Sequence, residues 1–63
     1  MTAGEKIREI RKKQGLSQYD IADILGVSHQ MVSKIEKRGD HMTIETLKKY
    51  AKALHVNAFE LID

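Results

Sequence analysis

The sequence predicts an all-α fold of five short helices around an aliphatic core, and three observations carry that expectation. Apolar residues recur at three- and four-residue spacing along most of the chain. Each such stretch follows a Thr, Ser or Asn able to cap a helix start, and three of them run out at Gly15, Gly26 and Gly39. No stretch alternates apolar with polar residues under β-branched enrichment, so strands do not compete. The chain has 63 residues, 41% hydrophobic and 32% charged, which suits one small globular unit, and we read 1–63 as a single domain. Only Tyr19, Tyr50 and Phe59 are aromatic, which leaves the core to aliphatic side chains.

Thr2 followed three residues later by Glu5 reads as a capping box, and Ile7 and Ile10 recur behind it up to Gly15, giving a first helix from Ala3 to Gln14. Ser17 caps a short second helix, Gln18 to Leu25, whose apolar stripe is Ile21, Ala22 and Leu25 and which stops at Gly26. Ser28 caps a third helix over about 29–38. Val32 and Ile35 lie on one of its faces, with Gln30, Ser33, Lys34 and Lys37 opposite. Thr43 starts a fourth helix in which Ile44, Leu47, Ala51 and Leu54 share a face. Asn57 and Glu60 form a last capping box for a fifth helix, where Phe59 is expected in the core, leaving Leu61 or Ile62 for a partner, the alternative being that Phe59 is itself an exposed anchor for a second subunit.

The residue inventory excludes several classes of function. Ser17 and Ser28 sit at helix starts, where capping explains them, and no acid–base partner is placed beside them, so no enzyme is expected. His29, His41 and His55 match no metal-ligand spacing and there is no Cys, so neither metal nor other cofactor is expected. The lack of Cys, of a signal-peptide layout and of any long apolar run suits a soluble, cytoplasmic protein with no membrane partner. Net charge is +2 and unevenly placed: residues 1–13 carry three Lys and two Arg against two Glu, while residues 14–27 carry only Asp20 and Asp23.

Two short helices joined through Gly26 and Val27 have the form of a helix-turn-helix over about 18–37, in which the tight turn needs one residue with positive φ. Ile21, Leu25, Val27, Val32 and Ile35 are expected to face inward, with Ala22 where the two backbones approach. The segment GLSQYDIADILGVSHQMVSKIEKRG resembles the helix-turn-helix of the phage repressor and Cro family, also called the Xre family. IREIRKKQG before it and TIETLKKYAKALHVNAFELI after it are similar to that family's first and last two helices, so the resemblance covers nearly the whole chain.

The resemblance implies a lambda-repressor-like fold and a small, repressor-like transcriptional regulator. Such a protein binds double-stranded DNA with its recognition helix in the major groove, usually as a homodimer on a palindromic operator. In a bacterium or phage-infected cell it would be associated with the nucleoid. Carried over residue by residue, base-reading falls to His29, Gln30, Ser33 and Lys34, and phosphate binding to Ser17, Gln18, Lys37, Arg38 and His41. An amide such as Gln30 suits an adenine edge and Lys34 suits guanine acceptors, whereas Ser33 and His29 leave the base open. Arg11 and Glu36 resemble a structural ion pair tying the first helix to the third.

Three positions depart from the family pattern. Gly39 falls one residue late, Met42 replaces a frequent proline before the fourth helix, and His55 stands at the end of that helix where glycine is common. The loop around Gly39 is similar to that of antitoxin members, which implies a second reading: a protein-interaction module whose main partner is a toxin or other protein.

Overall fold

The computed structural model of the chain describes residues 1–37 and 42–62. Four α-helices and a final single turn of 3-10 helix account for its regular structure: α1 Ala3–Lys13, α2 Gln18–Leu25, α3 His29–Lys37, α4 Ile44–Leu54 and the 3-10 helix Ala58–Leu61. The described residues contain no strand. The sequence led us to expect a fifth α-helix, and the 3-10 turn stands in its place.

Local side-chain chemistry sets the helix starts. Thr2 Oγ1 accepts from the Glu5 N–H at 3.2 Å while the Glu5 carboxylate accepts from the Thr2 N–H at 3.0 Å. Ser17 and Asp20 repeat the arrangement at 3.0 and 2.8 Å, and Asn57 with Glu60 does so at the 3-10 helix. Ser28 and Thr43 cap α3 and α4 through the N–H groups of Met31 and Thr46.

The ends follow equally local rules. Gly26 closes α2 at φ +70°, and His55 closes α4 at φ +58°, the one described non-glycine residue in the left-handed region. Helix α1 ends at Lys13 with Gln14 as its cap, one residue earlier than the pattern suggests. Helix α3 is described to Lys37, and the stop expected at Gly39 lies outside the described residues.

Ile7, Ile21, Val32, Tyr50, Leu54 and Leu61 are the largest fully buried side chains, so each α-helix and the 3-10 turn contributes at least one. The core is not purely aliphatic: Tyr50 is 1% exposed at its centre. Two inward assignments, Val27 and Phe59, need correction. Val27, just beyond the left-handed Gly26, is 41% exposed, while Leu25 is half-buried and packs against the core as expected. Phe59 is 79% exposed while Leu61 is fully buried. A 3-10 helix repeats every three residues, which turns Ala58 and Leu61 inward together and Phe59 and Ile62 outward together.

Candidate nucleic-acid interface

The site is assembled where α2 and α3 meet. Gly26 supplies the positive φ of the turn, and the Val27 N–H reaches back to the Ala22 carbonyl at 3.0 Å, so the chain reverses within a few residues. Ile21 and Ala22 of α2 bury against Val32 and Ile35 of α3, fixing the angle between the two helices.

From behind, α3 is held by a charged anchor. Arg11 Nε donates to Glu36 Oε2 at 2.7 Å and Nη2 donates to Oε1 at 3.1 Å, a two-point pair that is nearly inaccessible to solvent. Arg11 Nη1 also donates to the Leu16 carbonyl at 2.8 Å, tying the anchor to the loop before α2. Glu36 Oε1 accepts a further bond from Gln18 Nε2 at 3.3 Å. Backbones meet here too: a Cβ added at Gly4 would lie 2.6 Å from the Glu36 carbonyl oxygen.

Tyr50 is buried against this anchor, and among the described residues its hydroxyl has no hydrogen-bond partner. Burial raises its phenol to about 12, the Glu36 carboxylate adds to the effect, and the Arg11 guanidinium opposes it.

The outer side of α3 is polar and basic. Gln30, Lys34 and Lys37 are exposed and Ser33 is half-buried, at the i, i+3, i+4 and i+7 positions of one face. The only acidic residue of α3, Glu36, is neutralised inside, so the outer face carries Lys34 and Lys37 with no exposed carboxylate. His29 opens the helix half-buried, its ring stacked on that of Tyr19 with centroids 4.2 Å apart.

The phosphate candidates are more dispersed. Ser17 spends both its hydroxyl and its N–H in the capping box with Asp20. The Asp20 carboxylate is held below its usual range, first by the Ser17 N–H and then by the Ser17 hydroxyl, so this helix start carries a negative charge. The Gln18 side chain turns inward to Glu36, while Lys37 is exposed at the end of α3. Arg38 and His41 lie outside the described residues.

Sequence reasoning passed over Tyr19, Gly4 and Tyr50. A glycine in the first turn of a capped helix is a usable signal of close approach. The other two depend on contacts across the chain that periodicity does not show. Among the described residues no group of acidic or histidine side chains could hold a metal ion, and no helix is long and apolar enough to cross a membrane.

A left-handed glycine turn between two short helices, with the second presenting a polar face, defines a helix-turn-helix protein. The chain belongs to the helix-turn-helix family, whose pattern matches residues 7–61. It is 35% identical over 60 residues to the HTH-type transcriptional regulator PuuR of Escherichia coli, covering 95% of this chain and 32% of that protein. This chain thus spans about a third of the length of that relative. Among solved structures, it superposes on the restriction-modification controller protein C.AhdI from Aeromonas hydrophila with a TM-score of 0.83, 33% identity and coverage of 95% and 91% of the two chains. It also superposes on the master regulator for biofilm formation SinR, in complex with DNA, with a TM-score of 0.84, 31% identity and coverage of 97% and 98%.

Proposed function

We propose that this chain is the sequence-specific, double-stranded DNA-binding unit of a small transcriptional regulator, repressor-like and acting at the nucleoid in the cytoplasm. In this reading 1–63 forms one domain with its helix-turn-helix over about 18–37. The observation that carries it is the outer face of α3, where Gln30, Ser33, Lys34 and Lys37 stand together with no exposed carboxylate. Its likeness to SinR, solved with DNA, supports the same use of the fold. His29, Gln30, Ser33 and Lys34 then read base edges in the major groove. Lys37, with Arg38 and His41, grips phosphates, and Ser17 and Gln18 join them only by releasing the bonds they make to Asp20 and Glu36.

A homodimer on a palindromic operator follows, with half-sites about 34 Å apart. Phe59 and Ile62, exposed on one side of the 3-10 helix, are apolar surface for the second copy.

A second reading, in which the main partner is a toxin or other protein, is favoured by one feature. Two hollows that share Leu25 and Lys49 lie between α2, the turn after it and α4, one lined by Ile24 and Ala53 with Lys52 and His55, the other by Val27, Met31 and Ile35 with Thr46.

Selection of the purified chain on a random duplex library distinguishes the two readings. Recovery of a palindrome supports the first, and failure to enrich any duplex from folded protein overturns it. On the enriched site Gln30→Ala and Lys34→Ala should each cost about 1–3 kcal/mol and relax preference at one base pair, with melting temperature unchanged. Unaltered selectivity in both variants would remove these two from the reading face.

A further inference from the structure

No capping or core role accounts for Tyr19. It is the second residue of α2 and 63% exposed, so burial rewards its large ring little. Its contact is lateral: the phenol lies on the His29 imidazole with planes inclined by 30° and centroids 4.2 Å apart, and the hydroxyl oxygen is 3.4 Å from His29 Nε2. The two residues are ten apart in sequence and sit in the first turns of α2 and α3, so the stack bridges the elements that flank the turn.

The consequence falls on His29. At an exposed helix start an imidazole samples several staggered orientations. Here Tyr19 covers one side of the ring and His29 is half-buried, whereas Gln30 beside it is exposed. A side chain held before binding loses less rotational freedom on binding, and hydrogen bonding to a base edge requires the donor or acceptor at a defined angle.

We infer that Tyr19 is a specificity-determining positioning residue: by stacking on His29 it fixes the imidazole so that the half left uncovered reads the major-groove edge of one base pair. This inference rests on the DNA-binding reading above. Tyr19 acts through His29, so its effect is confined to the base pair that His29 reads.

The test is a set of four variants measured on the duplex selected by the parent chain and on single-base-pair substitutions of it. Tyr19→Ala is expected to weaken binding about twofold to tenfold and to flatten preference only where His29→Ala flattens it. Tyr19→Phe keeps the stack and should restore that preference, and in the His29→Ala background Tyr19→Ala should cost nothing more. In the free chain, Tyr19→Ala should shift the proton resonances of the His29 ring while the melting temperature holds. A uniform loss that adds to that of His29→Ala, no loss at all, or unmoved His29 resonances would overturn the inference and leave the DNA-binding reading standing. If the parent enriches no duplex, the DNA-binding reading falls and this inference falls with it.

Discussion

Arg11 makes three hydrogen bonds from a position that is 6% exposed, two to the Glu36 carboxylate and one to the Leu16 carbonyl. Removing it strands a buried carboxylate, so Arg11→Ala should cost about 3–5 kcal/mol, and urea melts should show a chain largely unfolded at ordinary temperature. Tyr50, packed behind the pair, behaves in the opposite sense. Below pH 10 its phenol is neutral whether folded or not; between 10 and 12 the unfolded chain ionises it while the folded chain, with its phenol at about 12, does not. Stability is therefore full below pH 10 and falls as pH rises through that window, by about 2–3 kcal/mol from this group. Tyr50→Phe should melt at or above the parent at pH 7, since the hydroxyl is unpartnered among the described residues, and should lose less stability from pH 10 to 12. An equally steep loss in both proteins would assign the effect to other groups. The Arg11–Glu36 pair was legible only through family resemblance. Tyr50 was not legible at all, because its burial depends on α4 packing against α1 and α2.

Helix starts and stops were the most legible level, since a capping box is written within four residues and Thr2, Ser17 and Asn57 each carry theirs in the chain. Phe59 was misread because its large aromatic ring was taken as a reason for burial, whereas a segment that turns every three residues places Phe59 outside and Leu61 inside. Two glycine exchanges probe the element scale with opposite expected signs. In α1, Gly4→Ala should gain from helix propensity, but its Cβ would meet the carbonyl oxygens of Glu36 at 2.6 Å and Ile35 at 2.9 Å, and backbone yields poorly. We expect a net loss of about 1–3 kcal/mol. At the end of α4, His55→Gly relieves a left-handed non-glycine residue at φ +58° and should gain up to about 1 kcal/mol, or roughly 4–8 °C in Tm. Thermal melts of both variants suffice. A more stable Gly4→Ala would mean that α1 and α3 can slide apart without cost.

A net charge of +2 says little about the whole molecule, because what a phosphate backbone meets is the local face. The structure sharpens this point: Glu36 is withdrawn into the Arg11 pair, so α3 presents Lys34 and Lys37 unopposed. Affinity for DNA should therefore fall steeply with salt despite the modest total, with each neutralised phosphate contributing about 0.9 to the slope of log K against log salt. Lys37 occurs once per chain and sits at the end of α3, so under the proposed reading Lys37→Ala counts the copies bound to a selected duplex. One bound chain loses about 0.9 of slope, whereas two lose about 1.8, with affinity weakened evenly across sequences in either case. The homodimer reading requires the larger drop. It further requires that Phe59→Ser, which removes the most exposed apolar side chain of the 3-10 helix, bring both the stoichiometry and the Lys37 effect toward the single-copy value. A drop near 0.9 in the parent background would mean that one chain occupies the site alone, and the palindromic operator would then be wrong even if every base contact were right.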